Sequence, residues 1–475
     1  MAGLYRIHSS SPYRRKRTDH LNINKNVDIL GDPKKAIRSM AIPFLISLLI
    51  VQLNVFTDTF WVSNLGEKSV SGMTSAVPIY TAIMSIGIGL STGIVTTIAY
   101  RIGKGEKDAA GKLAGNTIVL AIIIPAICSI ILFLATDLLI EIMGAQDVSQ
   151  EIHDYLLPFL LLSPITVLNT AFGGMLRAEG AAGRSTTVQL SSVAINMILD
   201  PILIFIMNMG VMGAGLATVI SYLFGVIISI NWYIHRKTMI TIRRADLHPE
   251  KLVMKELLGV GGPRIVEGFV NNTVILIQRI FIIMASGTVG VTLFNVPFRY
   301  ITLSMCPVEA VGMASVPVIA ANLGNKDYDK MKTARYSIFK AGIIISLVIA
   351  VAIFILSPIL IELFTVEPSM HEWYDELLWN MQAYCIILPL FAIQTLSASI
   401  LQALKKTRLP MRISIIVGVF RIIVFWLACP YGFQGITVAL ILSYVLSCSL
   451  SIIAEEKYFK KGTEQEIDQT MSQMG

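Results

Sequence analysis

The strongest constraint on the fold is a series of apolar blocks, each about twenty residues long. At about 1.5 Å per helical residue, one such block crosses the roughly 30 Å hydrocarbon core of a bilayer. Hydrophobic residues make up 54% of the 475-residue chain and charged residues only 15%, whereas a soluble domain carries about 25% charged residues. The sequence therefore predicts an all-α integral membrane protein.

Twelve apolar blocks have this length, and the connections between them alternate in charge. The predicted spans are 39–63, 76–100, 113–140, 155–176, 187–208, 212–234, 256–285, 290–321, 337–363, 381–403, 411–429 and 433–454. Basic residues such as Arg101 and Arg243 concentrate in every second connection, whereas acids such as Glu141 and Glu372 occupy others. The positive-inside rule predicts that both termini lie in the cytoplasm. Because the net charge of +7 lies mainly in the basic connections, we expect no nucleic-acid partner.

The two halves of the chain resemble each other. The segment after span 2, IAYRIGKGEKDAAGKLAGN, is matched 221 residues later by IAANLGNKDYDKMKTARYS, so that Gly103 corresponds to Gly324. Further on, SILQALK matches GMLRAEG, and GFQGITVALILSY matches GVMGAGLATVISY. Shared apolar composition is the alternative explanation, but it does not produce matches in polar loops. The duplication predicts two parallel six-helix lobes around a central cavity that opens alternately to either side, as in transporters.

The predicted units follow from this duplication. They are a basic tail at 1–35, a first lobe at 36–235, a linker at 236–255, a second lobe at 256–456 and a second tail at 457–475.

Two acids lie deep in predicted spans of the first lobe, Asp58 in span 1 and Asp200 in span 5. A charge at the bilayer centre costs at least about 2.5 kcal/mol, so each acid needs a function or a partner. Three i,i+4 pairs place oxygen atoms on shared helix faces: Asn54 with Asp58, Asn196 with Asp200, and Ala214 with Thr218. Converging oxygens bind a hard monovalent cation such as Na⁺, and a carboxylate kept from water binds a proton. The alternative is a structural polar contact between helices.

The duplicated positions have diverged in charge. Asp58 corresponds to Arg279 and Asn196 to Arg421, so the first lobe is acidic where the second is basic. Arg279 and Arg421 either line the cavity, hold an anionic group or pair with glutamates of the second lobe.

Three further intramembrane pairs have simpler interpretations. Glu267 with Arg264, and Glu309 with Arg299, are candidate ion pairs or side chains that extend to the membrane surface. Gly89 and Gly93 form a GxxxG pair, which predicts close packing of span 2 against another helix.

Several absent motifs restrict the function. The chain has no GxxxxGK[ST] nucleotide loop, no GxSxG, HExxH or CxxC, and neither an arginine-rich sensor helix nor a potassium-selective filter. We therefore expect neither an enzyme nor a channel, and we expect an ion gradient to supply the energy for transport.

The chain resembles the multidrug and toxic compound extrusion (MATE) transporters over about residues 30–460. The resemblance rests on TDTFWVSNLG in span 1, the polar connections after spans 2 and 8, LRAEG before span 5, NMILDP in span 5 and GVMGAGLATVISY in span 6. It is nearest to the DNA-damage-inducible F branch, including its archaeal members. The resemblance implies the MATE fold, in the superfamily called MOP, and secondary active export.

The resemblance also implies a site. The branch has an aspartate in span 1 and Asn-x-x-x-Asp in span 5, which match Asp58, Asn196 and Asp200. It implies that Thr218 and the backbone carbonyl of Ala214 assist in binding H⁺ or Na⁺.

Span 1 shows one match to the branch and one departure from it. Pro43 matches the proline whose bending accompanies protonation of the acid in that branch. A tyrosine common one turn before the aspartate is Asn54 here, which makes the substrate-facing surface more polar. The acids found in the second lobe of another bacterial branch have no clear match, which favours coupling through the first lobe.

We therefore expect a multidrug antiporter that exports small amphipathic organic cations against inward H⁺ or Na⁺. Candidate residues for the substrate cavity are Asn54, Arg279 and Arg421. The chain is expected to act as a monomer in the plasma membrane, with no cofactor besides the coupling ion. The alternative is a flippase for a lipid-linked oligosaccharide or another anionic lipid, whose diphosphate would meet the two arginines.

Overall fold

The computed structural model describes residues 26–362 and 371–474, with the side chains of all of these except residues 288 and 461–474. Residues 1–25 of the predicted basic tail therefore lie outside the described residues, as does the part of the acidic connection at 363–370. The described chain is almost entirely α-helical. Helix α1 begins three residues inside the predicted tail, and the last helix continues through the predicted C-terminal tail.

Fourteen helix labels, α1 to α14, follow the chain order. The first half contains α1 (Pro33–Ser63), α2 (Glu67–Gly103), α3 (Lys107–Met143), α4 (Ser149–Leu161), α5 (Ser163–Ala178), α6 (Ala182–Pro201) and α7 (Gly210–Ile234). The second contains α8 (Lys251–Gly287), α9 (Val289–Gly324), α10 (Tyr328–Glu362), α11 (Tyr374–Tyr384), α12 (Ile387–Ala403), α13 (Arg408–Ala428) and α14 (Gly432–Met474). Short 3₁₀ turns lie at Gln146–Val148, Arg244–Leu247 and Cys429–Tyr431, and a π-helical turn lies at Ile202–Ile206.

These helices form twelve spans. Ten stretches of the described residues are long and apolar enough to cross a membrane, and α4 with α5, bent by 58°, adds an eleventh. One of the ten, Arg408–Lys460, has 53 residues and would be about 80 Å long if straight. It contains α13 and α14, which turn back at Gly432 and pack side by side, so it crosses twice. The prediction of an all-α membrane protein is confirmed.

The long helices follow the same order in both halves, and their burial follows the same order too. In the most apolar stretch of α2, 89% of the residues are buried, and in its counterpart α9 the share is 72%. In α3 and its counterpart α10 the share is only 22%. Helices α2 and α9 are therefore central, whereas α3 and α10 expose apolar side chains at the periphery, where lipid would cover them.

Close packing at the GxxxG pair is confirmed. Helix α2 crosses α8 at this point, and a Cβ atom added at Gly93 would lie only 2.7 Å from the carbonyl oxygen of Leu257. One added at Gly261 of α8 would lie 2.6 Å from the carbonyl oxygen of Gly89. Only glycine leaves room for this approach, which joins the two halves.

A second glycine contact joins the last turns of α2 and α9. A Cβ atom added at Gly103 would overlap the carbonyl oxygen of Ala321, and one added at Gly324 would overlap that of Tyr100. The two contacts are related by the duplication, since Tyr100 and Ala321 are also 221 residues apart. The two halves therefore meet backbone to backbone at this end of the molecule.

We call this end the basic end, because the basic connections gather there. Glu256 at the start of α8 pairs with Arg101 of α2 at 2.7 Å and with Lys405 at 3.1 Å. The linker also joins α3, through Lys112 with Glu250 at 2.8 Å and through Arg243 with Asp108 at 2.8 Å. These contacts place loops that the charge pattern assigns to one side of the membrane at one end of the bundle.

Candidate functional site

The predicted polar pairs come together where α1, α6 and α7 pack against each other. On α1, the side-chain nitrogen of Asn54 donates to both carboxyl oxygens of Asp58, at 3.3 and 3.2 Å. On α6, Nδ2 of Asn196 donates to Oδ1 of Asp200 at 3.1 Å. The i,i+4 spacing thus produces two amide–carboxyl pairs, each on one helix face.

Helix α7 completes the group. The Asn196 amide also lies 3.4 Å from the hydroxyl oxygen of Thr218, and that hydroxyl donates to the carbonyl oxygen of Ala214 at 3.1 Å. Asn196 and Asp200 are 1% and 0% exposed. The structure therefore brings together the five residues Asp58, Ala214, Asn196, Asp200 and Thr218 that the sequence proposed for the coupling ion.

The carboxyl groups of Asp58 and Asp200 approach each other across the α1–α6 interface, and no lysine or arginine side chain among the described residues compensates them. Two negative charges about 4 Å apart repel by about 4 kcal/mol at an effective dielectric constant of 20. A proton shared between the carboxyls, or a cation bound to them, removes this repulsion.

A small cavity of about 30 Å³ lies between Asn54 and Asn196, the amide partners of the two acids, and is enough for one water-sized species. Its lining is Val51, Asn54, Gln189, Ser192, Val193, Asn196, Thr218, Ser221 and Tyr222. Four buried oxygens in this region have no hydrogen-bond partner among the described residues: Oδ1 of Asn54, Oγ of Ser192, Oδ1 of Asn196 and Oδ2 of Asp200. Carbonyl, hydroxyl and carboxylate oxygens of this kind are the ligands that hard cations prefer.

The helix geometry changes directly after Asp200. Pro201 ends α6, and the chain continues as a π-helical turn over Ile202–Ile206 before α7 begins. Single π turns of this kind occur often at functional sites, because they alter which backbone oxygens are free. On α1, by contrast, Pro43 lies inside one continuous helix from Pro33 to Ser63.

Several polar residues near the acids were not predicted. Ser192 lies one turn before Asn196, and Ser221 lies one turn after Thr218, so the helical spacing that identified the pairs also contains these two. The hydroxyl groups of Tyr80 and Tyr222 also lie near each other and near Asp58.

Aromatic rings surround these hydroxyls. The ring of Phe159 is 4.4 Å from that of Tyr80 and 5.3 Å from that of Tyr155. We call Tyr80, Tyr155, Phe159 and Tyr222 the aromatic cluster. It provides ring surface near Asp58 although the position one turn before this acid is Asn54 rather than tyrosine.

The basic positions of the second half do not join this group. Arg279 is exposed on α8 and has no ion pair among the described residues. Arg421 lies over the ring of Tyr444, 5.4 Å from its centroid, and its Nε has no hydrogen-bond partner there. Both arginines therefore remain candidates for an anionic group.

One of the two predicted ion pairs is present. Arg264 donates to Glu267 at 2.5 Å. Of the two interpretations of Arg299 and Glu309, the ion pair is wrong, because Arg299 lies over the ring of Phe56 on α1, 5.8 Å from its centroid. Ten residues of helix separate Arg299 from Glu309 along the axis by about 15 Å, too far for an ion pair.

The sequence pattern of one known family, MatE, matches the chain twice, at 43–202 and at 263–427. The chain belongs to the MatE family. Each half carries one copy of the pattern, which agrees with the duplication in the sequence. Membership also means that the chain is a membrane transporter rather than an enzyme, as the sequence predicted.

Two relatives with different transported compounds are about equally similar to this chain in sequence. A multidrug export protein, MepA, of Staphylococcus aureus is 23% identical over 421 residues, 88% of this chain and 92% of its own length. An FAD transporter of Shewanella oneidensis is 24% identical over 363 residues, 75% of this chain and 78% of its own.

Solved structures share the fold. The outward-facing conformation of a multidrug resistance MATE family transporter of the MOP superfamily is 25% identical and superposes with a TM-score of 0.87, covering 92% of this chain and 98% of that one. A MOP superfamily transporter from Pyrococcus furiosus, described as having a binding pocket of reverse polarity, is 24% identical with a TM-score of 0.86 and covers 94% and 99%.

Proposed function

We propose that this MatE transporter exports small amphipathic compounds, mostly cationic, in exchange for H⁺ or Na⁺ moving inward. The observation that carries the proposal is the close approach of Asp58 to Asp200, two carboxyls that no basic side chain in the described part of the chain compensates. Either a proton or Na⁺ would stabilise this approach, so the occupancy of the site responds to an ion gradient.

The atoms around the pair support both ions. Na⁺ would use the unpartnered oxygens of Asn196 and Asp200, together with the hydroxyl of Thr218 and the carbonyl of Ala214. A proton would need only the two carboxyls. We further propose that the chain belongs near the DNA-damage-inducible F branch, on the basis of Asp58, Asn196 and Asp200.

Substrate and coupling ion would compete for the same negative charge. A cationic amphipathic compound would place its charge near Asp58 and its apolar part on the aromatic cluster, where ring faces attract cations. The likeness to a multidrug export protein supports this substrate class. Binding of the ion would neutralise the acids and release the compound.

Transport requires that access to this site alternate. We propose that the lobes 36–235 and 256–456 rock about the linker 236–255, with span 1 bending at Pro43 when the ion binds. With the basic end in the cytoplasm of a plasma-membrane protein, the tight contact of α2 with α9 corresponds to a state closed on the cytoplasmic side.

The test is ethidium efflux in proteoliposomes, with a pH gradient and a sodium gradient imposed in separate experiments. We expect Asp58→Asn and Asp200→Asn to abolish gradient-driven efflux while leaving a monodisperse, folded protein. The control is Asp329→Asn, whose side chain is 98% exposed, and it should retain full efflux. Undiminished efflux by Asp58→Asn would refute the proposal.

A second candidate function is the export of an anionic diphosphate compound, such as a dinucleotide or a lipid-linked oligosaccharide. The unpaired Arg279 and Arg421 favour it, as does the likeness to an FAD transporter. In the same proteoliposomes, FAD or a diphosphate lipid would then be the transported compound. Arg279→Gln with Arg421→Gln would abolish that activity and leave ethidium efflux unchanged.

A further inference from the structure

A cavity of about 450 Å³ lies at the basic end of the second half, away from the acids of α1 and α6. It is enclosed by the start of α8, the connection between α12 and α13, and α14. Its ionisable lining consists of five bases and one acid: Lys255, Lys405, Lys406, Arg408, Arg412 and Glu256, together with Tyr458. A ligand in this cavity would therefore meet a strong excess of positive charge.

The single acid is already neutralised. Glu256 pairs with Arg101 at 2.7 Å and with Lys405 at 3.1 Å. The other four bases of the cavity form no ion pair among the described residues. Helix α13 also begins here, with no acidic residue in its first turn and no side-chain cap. Its positive dipole end adds to the attraction for an anion.

The duplicated position in the first half lacks three of these bases. The alignment of SILQALK with GMLRAEG pairs Lys405 with Gly180, and continuing it pairs Arg408 with Gly183 and Arg412 with Thr187. The first half keeps a base beside Gly183, Arg184, but its guanidinium donates to the carbonyl oxygen of Lys237 in the linker. Lys405 and Gly180 share a left-handed backbone, with φ of 58° and 75°, so the two corners have the same backbone shape and differ in charge.

The chain itself covers the first-half corner. The N–H of Val27 donates to the carbonyl oxygen of Gly180 at 2.9 Å, just before α1. The segment before α8 does not cover the second-half corner, because it packs on α3. There the side-chain nitrogen of Asn116 donates to the carbonyl oxygens of Asp246 and His248, at 3.2 Å each. The second-half corner therefore stays open, and it is the basic one.

Two exposed apolar helix faces extend from this cavity towards the membrane interior. On α8 the face continues through Val266 and Phe269, which are 45% and 40% exposed. On α13 it continues through Ile416 and Val419, both 54% exposed. Val266 and Phe269 lie seven and ten residues after Gly259, and Ile416 and Val419 lie four and seven after Arg412, so each series stays on one side of its helix. A soluble anion would use only the basic part of this surface, whereas a phospholipid would use both parts.

We propose that this corner is a binding site for an anionic phospholipid, with the headgroup phosphate among Lys406, Arg408 and Arg412 and the acyl chains along α8 and α13. Basic pockets between transmembrane helices on the cytoplasmic side bind such headgroups, at about 1 kcal/mol per basic residue. The site is separate from the Asp58–Asp200 pair, so the proposal does not depend on the transported compound.

The test is a titration of the detergent-solubilised full chain with pyrene-labelled phosphatidylglycerol, repeated with pyrene-labelled phosphatidylcholine. We expect saturable binding of the anionic lipid only. The variant Lys406→Gln/Arg408→Gln/Arg412→Gln should bind it about a hundredfold more weakly. The matched control is Lys107→Gln/Arg236→Gln/Arg244→Gln, which removes the same charges from other exposed positions at the basic end.

Three outcomes would overturn the proposal. Equal losses of lipid binding in the two triple variants would mean that the lipid responds to general surface charge. Equal binding of the two lipids would mean that the site does not select an anionic headgroup. Competition by inorganic phosphate or glycerol 3-phosphate at the same concentration as lipid would identify a site for soluble anions. Gel filtration and thermal unfolding of the Lys406 triple variant in detergent, both matching the wild type, would show that it remains folded, so that a loss of lipid binding is assigned to the site.

Discussion

The side-chain nitrogen of Asn196 lies 3.1 Å from Oδ1 of Asp200, one helical turn away. This hydrogen bond fixes the amide orientation, because the nitrogen must face the carboxyl. The amide oxygen is then left without a donor, and Asn196 as a whole is only 1% exposed. A buried acceptor without a donor is costly unless a cation or water satisfies it. Asn196 thus orients one candidate ligand and supplies another.

Replacing Asn196 tests this double role. We expect Asn196→Ala to raise the ion concentration needed for half-maximal efflux about tenfold, since one charge-assisted interaction is worth about 1.5 kcal/mol. The measurement is the rate of ethidium efflux against the concentration of the driving ion. Thr187→Val is the control, because its hydroxyl bonds only its own helix, to Gly183 at 3.0 Å. An unchanged half-maximal concentration in Asn196→Ala would exclude the amide from the site.

Glu179 predicts a pH dependence of stability. It follows α5, is fully buried and accepts a hydrogen bond from Tyr233 at 2.8 Å. Burial raises the pKa of Glu179 from an ordinary 4.5 to about 7. The folded protein therefore holds this proton more tightly than the unfolded chain. The protonated carboxyl contributes fully to the free energy of unfolding below about pH 4.5. This contribution, about 3 kcal/mol, is lost as the pH rises through 7.

The variant Glu179→Gln should remove this dependence, because the amide stays neutral. We expect the melting temperature of the wild type to fall between pH 5 and 8 and that of the variant to stay nearly constant. Thermal unfolding in detergent measures both. Glu67→Gln, at an exposed glutamate that begins α2, should follow the wild type. A wild-type slope retained by Glu179→Gln would assign the pH dependence to another group.

The Arg335–Glu455 pair predicts a large loss of stability. Nε and Nη2 of Arg335 on α10 donate to the two carboxyl oxygens of Glu455 on α14, both at 2.7 Å. The glutamate side chain is 0% exposed. We expect Arg335→Met to cost about 3 kcal/mol, because it leaves a buried carboxylate unpaired. The double variant Arg335→Met/Glu455→Gln should recover most of this in thermal unfolding, and a double variant as unstable as the single one would place the cost elsewhere.

The glycine contact between α2 and α9 predicts a change in conformation rather than in stability. A methyl group in Gly103→Ala or Gly324→Ala would overlap the opposite backbone, so the basic end could not close. We expect loss of efflux and a longer distance between spin labels placed at positions 107 and 326. Gly262→Ala is the control, because open space surrounds a Cβ atom there. An unchanged label distance in Gly103→Ala would mean that the helices accommodate the methyl group.

The sequence predicted the spans, and the grouping of the candidate coupling residues, for physical reasons that act locally. Apolar blocks of membrane length became helices because lipid leaves no alternative partner for the backbone. Asn54 with Asp58, and Asn196 with Asp200, share faces because i,i+4 spacing is a property of any helix. Their convergence followed from the cost of isolated acids in a membrane, which only neighbours or ions can reduce.

The remaining features depend on how helices are rotated against each other. The contact of Arg299 with Phe56 joins two halves of the chain, and no spacing along either helix contains it. The proximity of Tyr80 and Tyr222 depends in the same way on how α2 and α7 are rotated within the bundle. The basic cavity near Arg408 required knowing that the segment before α8 packs on α3 and leaves this corner open.

The length of α2 determines whether the glycine contact with α9 forms in water or in lipid. Its 37 residues extend about 55 Å, whereas the hydrocarbon core is only about 30 Å thick. Gly103, in the last turn, therefore meets α9 in the hydrated layer rather than among acyl chains. Closing this end replaces the hydration of two backbones by contact between them, whereas most contacts between membrane helices replace lipid. The balance between the two orientations should therefore respond to excluded solutes such as sucrose, which favour the state with less hydrated surface.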